Sequence, residues 1–204
     1  MADDVLGAVL AGGAGMRVGG ADKGLLPLCG RPLVEHALDR LRPQCNRLLI
    51  IANRNTDEYL RHAPVIHDRD DGHAGPLAGL VAAFGFVDAN RHALPRWLLT
   101  VPVDCPDPPG DLAERLHAGL MKHFDARCAY VQRADRPQPL FALYRIDDVV
   151  LCRSSAQAAL REHASPMRWH AETGAIAVDF DDVIGAFHNL NTPEDFRDYE
   201  RTHG

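Results

Sequence analysis

The chain has 204 residues, 46% of them hydrophobic and 25% charged, which is the size and balance of one globular α/β domain and excludes a disordered chain. A net charge of −6 excludes the broad cationic face needed to wrap nucleic acid or lie on anionic lipid. The five scattered cysteines form no C-x-x-C pair, no stretch nears the ~20 apolar residues of a membrane span, and the acidic Met-Ala-Asp-Asp start lacks a secretory signal, so the expected compartment is a reducing cytoplasm.

In chain order, the apolar run 5–10 ends at Gly12-Gly13 and predicts a buried strand entering a turn. Residues 32–42 place Leu33, Val34, Ala37, Leu38 and Leu41 at helical spacing, with Pro32 in the first turn and Pro43 closing the helix. A second strand is predicted over 48–52 with the exit Asn53-Arg54-Asn55, then a short helix over 57–62. The strand 65–66 leads into Asp68-Arg69-Asp70-Asp71-Gly72, and a helix over 77–87 is entered through Gly75-Pro76. The strand 97–103 stops at Asp104-Cys105-Pro106 and is followed by a helix over 111–124 carrying Leu112, Leu116 and Leu120 on one face. Short strands alternating with helices predict a mostly parallel sheet covered on both faces. Strands over 128–132, 140–144 and 175–180 surround a helix over 148–163, and at least one of them is expected to run antiparallel. The last helix starts at Thr192-Pro193-Glu194-Asp195, with threonine as N-cap and proline in the first turn.

Ligands of open parallel sheets bind beyond the carboxyl ends of the strands. Four polar or glycine-rich exits are expected to converge there, at 11–23, 53–55, 68–76 and 104–106. The first holds five glycines between positions 12 and 20 (Gly12, Gly13, Gly15, Gly19, Gly20), which lets backbone amides approach a polyphosphate. Arg17 and Lys23 add the positive charge that a triphosphate and a departing pyrophosphate require. A Walker A loop fails because Ala21 stands where its lysine belongs, and a dinucleotide fingerprint fails at Val18. The alternative is a flexible glycine loop with solvated charges.

Asp104, at the tip of the most continuous strand, is either a rigid mount for Mg²⁺ or the cap of the turn before Pro106. Among Asp68, Asp70 and Asp71, one is a candidate for a ribose hydroxyl or a base edge. The run from Gly75 through Pro76 and Leu77 either points a helix N-terminus at a phosphate or simply starts a helix with a small-residue packing face. Asn189 and Asn191 are either caps or ligands of an acceptor. The eleven histidines are scattered without metal-ligand spacing, and there is no Gly-x-Ser-x-Gly elbow.

The segment from Leu10 to Leu26, Leu-Ala-Gly-Gly-x-Gly-x-Arg-x-Gly-Gly-x-Asp-Lys-Gly-Leu-Leu, resembles the signature of the bacterial molybdenum cofactor guanylyltransferases. Leu28-x-Gly30-x-Pro-Leu33, Ala52-Asn-Arg54, Asp68, Gly75-Pro-Leu-Ala-Gly79, Pro102-x-Asp104-x-Pro106, Phe141-Ala-Leu143 and Asn189-x-Asn-Thr-Pro-Glu194 follow in family order along essentially the whole chain. The resemblance implies a Rossmann-like three-layer α/β/α nucleotidyltransferase fold, one domain over 1–204, with 1–106 mainly nucleotide-binding and 107–204 mainly acceptor-binding. It implies GTP and molybdopterin as substrates, molybdopterin guanine dinucleotide and pyrophosphate as products, and Mg²⁺, with Mn²⁺ as a substitute, as cofactor. Leu10, Ala11 and Gly12 would meet the nucleotide through backbone, aided by Gly13, Gly15, Gly20, Asn53, Gly75, Pro76 and Leu77. Lys23 would bind its phosphates, Asp68 the nucleoside and Asp104 the metal, while Arg17 would neutralise the triphosphate. Arg17, Lys23 and Asp104 are thus the catalytic set, with Asn189 and Asn191 on the acceptor side. Proteins of cofactor biosynthesis and recipient molybdoenzymes would be transient partners, with no nucleic acid or membrane partner.

Two positions depart from that pattern. Ile51 stands where the family often has a polar residue, moving any guanosine contact to backbone or to Asn53, and Arg133-x-x-Arg-Pro replaces Arg-x-x-His-Pro near the expected pterin site. The rival readings are cytidylyl transfer to the same cofactor, a sugar-phosphate acceptor, and a GTP-binding assembly factor without turnover.

Overall fold

A computed structural model describes residues 2–12, 22–67, 75–134, 136–183 and 185–203. The chain runs through β1 (Val5–Leu10), β2 (Pro27–Leu28), β3 (Arg31–Pro32), α1 (Leu33–Leu41), β4 (Arg47–Ile51), α2 (Thr56–Tyr59), β5 (Val65–Ile66) and α3 (Pro76–Asn90). It continues through β6 (Trp97–Pro102), α4 (Leu112–Leu120), β7 (Cys128–Arg133), β8 (Arg136–Arg145), α5 (Val149–Arg161), α6 (Pro166–Thr173), β9 (Ile176–Asp179) and α7 (Pro193–His203). Seven strands form one sheet in the order β5-β4-β1-β6-β8-β7-β9, and β2 and β3 form a separate hairpin. In the seven-stranded sheet β8 runs antiparallel to both of its neighbours, β6 and β7, while the other pairings of that sheet are parallel.

Period-two alternation divides the core. Val5 and Val9 of β1 face one layer, with α1 and α4, while Leu6, Ala8 and Leu10 face the other, with α3, α5 and α6. The result is the three-layer α/β/α arrangement expected for strands buried on both sides. From β1 the chain first builds outward to β4 and β5, then returns to lay β6 on the other side of β1. The crevice beyond the carboxyl ends of β1 and β6 is therefore the switch point of the sheet.

Several elements differ from the sequence expectation. The helix predicted over 111–124 ends at Leu120, because beyond it Met121 and Phe124 find no core and stay exposed. α6 was not expected, although Ser165 caps it by accepting from the Arg168 amide, Pro166 opens it and Gly174 closes it in the left-handed region. β8 begins four residues earlier than predicted despite Pro137 and Pro139. That is tolerated because β6 pairs with β8 only as far as Thr100 opposite Ala142, so the prolines lie where β8 has β7 as its single partner. The register also shifts there, from Tyr130 opposite Ala142 to Val131 opposite Gln138, leaving residues 139–141 as an expanded bulge. One bond steadies it: the Thr100 hydroxyl donates to the Leu140 carbonyl at 2.8 Å.

Candidate active site

The carboxyl ends of β1 and β6 are tied together before any ligand arrives. The Val103 amide donates to the Leu10 carbonyl at 3.1 Å, and the Ala11 amide to the Ile51 carbonyl at 2.9 Å. One step further on, Asp104 meets Lys23. The ammonium donates to Asp104 Oδ2 at 3.1 Å and to Asn191 Oδ1 at 2.7 Å, with both charged side chains mostly buried. An ammonium has three donors, so these two bonds leave one for a ligand. The lysine expected at the phosphates and the carboxylate expected at the metal are thus in direct contact.

The segment 189–191 closes this corner. The Leu190 amide donates to the Asp104 carbonyl at 2.8 Å, and the Leu190 side chain is buried. Asp195 in the first turn of α7 accepts from the amides of Asn191 and Thr192 at 2.7 and 2.6 Å, while the Thr192 hydroxyl caps the Asp195 amide at 3.2 Å. The alternation around a buried leucine sends the Asn191 side chain to Lys23. Cys105, next to Asp104, is buried, and burial pushes its thiol up to about 12, which keeps it protonated.

These groups border an open cavity of about 620 Å³. Of the sequence-predicted residues, Leu10, Ala11, Gly12, Lys23, Pro76, Asp104, Asn189 and Asn191 line it. Gly75 precedes Pro76 with φ of 142°, a conformation that strains any L side chain, so glycine is required to enter α3. Leu77 is buried in the core under α3, so only its backbone is left for the site. Asn53 stands beside Gly12: its Nδ2 would lie 4.0 Å from a Cβ built there. Gly13, Gly15, Arg17, Gly20 and Asp68 lie outside the described residues.

Asp22, Gln138, Pro139, Leu140, Phe141 and Pro166 also line the cavity and were not anticipated. Gln138–Phe141 reach it through the β8 bulge and Pro166 through the start of α6. A Ser-Pro pair with a following Gly174 was the legible signal for α6; nothing in the local sequence signals the register shift.

Whether a divalent metal fits can be judged from Asp104. Its Oδ1 is buried without a hydrogen-bond partner among the described residues, a state that costs about 1–3 kcal/mol unless something compensates it. A carboxylate oxygen is the donor that Mg²⁺ and Mn²⁺ take. Asp22 also borders the cavity, and each of its oxygens accepts one hydrogen bond, from Asn55 Nδ2 and from the Tyr59 hydroxyl. The described residues contain no cluster of three or more metal-ligating side chains, so the remaining ligands would be water and substrate phosphate.

The family described as MobA-like NTP transferase domain matches residues 7–175. The chain belongs to that family. This MobA-like domain is 38% identical over 196 residues to a molybdenum cofactor guanylyltransferase of Shewanella loihica, covering 95% of this chain and 94% of the relative. It is 40% identical over 188 residues to a protein of the same name from Shewanella sediminis, covering 91% and 90%. Among solved structures, a molybdopterin-guanine dinucleotide biosynthesis protein A from Archaeoglobus fulgidus shares the fold, with a TM-score of 0.73, 24% identity and 97% coverage of both chains. Among the described residues of the MobA-like domain, no helix is long and apolar enough to cross a membrane.

Proposed function

We propose that the protein transfers GMP from GTP to the terminal phosphate of molybdopterin, giving molybdopterin guanine dinucleotide and pyrophosphate. The observation that carries this reading is the corner where Lys23, Asp104 and Asn191 meet at the sheet switch point, in a chain whose relatives bear the guanylyltransferase name. The nucleotide lies along Leu10–Gly12 with its phosphates toward Lys23, Arg17 and the glycines Gly13, Gly15 and Gly20. Asp68 and Asn53 are assigned to the nucleoside, and Gly75, Pro76 and the Leu77 backbone to the α3 side. The acceptor lies against Asn189, Asn191 and the β8 bulge, so residues 1–106 mainly bind nucleotide and 107–204 mainly bind acceptor.

An oxygen of the acceptor phosphate attacks the α-phosphorus of GTP, the α–β bridging P–O bond breaks, and pyrophosphate leaves with the electron pair. A phosphate monoester is largely dianionic at neutral pH, so the attacking oxygen needs no strong general base. Repulsion between the anions is the larger obstacle, about 4 kcal/mol for two unit charges at ~4 Å and an effective dielectric near 20. The remaining Lys23 N–H offsets part of this and follows the charge onto the leaving group. Mg²⁺ on Asp104 supplies further charge neutralisation when bound. Asn191 holds the ammonium in place without adding negative charge. The protein works in the cytoplasm and meets cofactor-biosynthesis proteins and recipient molybdoenzymes in passing.

Incubation with each of the four NTPs, Mg²⁺ and molybdopterin, scored by pyrophosphate release, tests the assignment. Release with GTP alone is expected. Release with CTP in its place overturns the base assignment, and GTP binding without release for any acceptor favours an assembly factor.

A further inference from the structure

We infer that Tyr59 is a positioning residue: through Asp22 it fixes the turn that presents Lys23 to the phosphate corner. Tyr59 lies at the end of α2, fully buried and far in sequence from the turn it holds. Its hydroxyl donates to Asp22 Oδ1 at 2.5 Å. The other carboxylate oxygen accepts from Asn55 Nδ2 at 3.0 Å, and Asn55 stands in the left-handed region (φ 48°) just before α2. Asp22 borders the cavity next to Lys23, yet both its oxygens are occupied from behind. It is therefore a strut between α2 and the lysine turn.

The same strut closes the turn itself. The Asp22 carbonyl accepts from the Leu25 amide at 3.1 Å and the Lys23 carbonyl from the Leu26 amide at 3.2 Å. Gly24 is pressed between the phenol and the exit of β6: a Cβ built there would lie 2.3 Å from the Tyr59 hydroxyl and 3.0 Å from Val103 Cγ2. Only glycine lets the turn approach that closely. Burial and the Asp22 bond both push the Tyr59 phenol up, so it stays a donor across the working pH range.

A lysine ammonium rides on a flexible four-carbon stem, so its reach depends on where the main chain is anchored. Without the strut, Asp104 and Asn191 would still draw the ammonium, but its third donor would no longer be held toward a phosphate. The ring of Tyr59 belongs to the core cluster beside β1 and α1, and its packing does not need the hydroxyl. Removing the hydroxyl alone therefore separates positioning from core filling.

The inference rests on the guanylyl-transfer reading for its ligand, and the test is a double-mutant cycle on GTP affinity with Mg²⁺ present. Tyr59→Phe is expected to keep a near-native melting temperature and weaken GTP binding about tenfold, the loss of one charge-assisted hydrogen bond's worth of order. In a Lys23→Ala background the same substitution should cost nothing further. Asp22→Asn reads the same coupling if Tyr59→Phe proves unstable. Equal GTP affinity of Tyr59→Phe and wild type, or an undiminished loss in the Lys23→Ala background, overturns the strut while leaving guanylyl transfer standing. A folded wild type that binds no GTP takes down both.

Discussion

The two walls of the cavity are built by opposite means. On the β1–β6 side, three polar side chains meet at 2.7 and 3.1 Å, and main-chain bonds from Val103, Leu190, Asn191 and Thr192 hold the segments that carry them. On the β8 side, the lining comes from a ladder irregularity and a helix start, and offers Gln138, two prolines, Leu140 and Phe141. One wall arranges charge; the other arranges shape around a single carboxamide. The first suits a triphosphate and its cation, the second a flat ring with hydrogen-bonding edges, and the proposed reaction needs one of each.

The largest effects should come from breaking the charged wall. Lys23→Ala and Asp104→Ala are each expected to lower kcat by about 10³-fold or more in a steady-state pyrophosphate assay, with circular dichroism unchanged. Neither side chain supports a core cluster, so a rate near wild type removes that residue from the mechanism. Asn191→Ala should be milder, about tenfold to 10²-fold in kcat/KM for GTP, because Lys23 keeps Asp104 as a partner.

Behind the shape wall sits His170, buried among Tyr130, Tyr144 and Trp169, with Nε2 3.1 Å from the Tyr144 hydroxyl. Burial lowers its pKa from the ordinary 6.5 to about 4. The unfolded chain therefore takes up a proton that the folded protein refuses, and stability present above pH 6.5 is lost as the pH falls toward 4. The loss is about 3 kcal/mol, read as a falling urea midpoint, and His170→Gln should flatten that slope. An unchanged slope would contradict a neutral buried histidine. The smallest effect belongs to the bulge: Gln138→Ala should raise the KM for molybdopterin about tenfold and leave the KM for GTP alone. A change in the GTP value instead would show that the two walls do not divide the substrates.

How much of this was legible follows the same division. The charged wall stands at strand ends marked by glycine, proline and aspartate, and strand order forces such ends to one edge, so Leu10–Gly12, Lys23 and Asp104 could be assembled from the chain alone. What could not be read was their contact: the Lys23–Asn191 bond joins positions 168 residues apart. Asn191 points inward because Leu190 is buried, which only the packing of α7 decides. The shape wall was missed because a register shift leaves no local trace, and Pro137 and Pro139 argue against a strand until β6 is seen to stop pairing at Thr100. The role of Asp22 depends on Tyr59, on a helix of four residues, and no local signal in the chain joins the two.

The most direct measurement is pyrophosphate release with GTP, Mg²⁺ and molybdopterin, comparing wild type with Asp104→Ala in the presence of all four nucleotides separately. The account predicts release by wild type with GTP and none above background with Asp104→Ala. Undiminished release by the variant, or release by wild type with a different nucleotide, would contradict it.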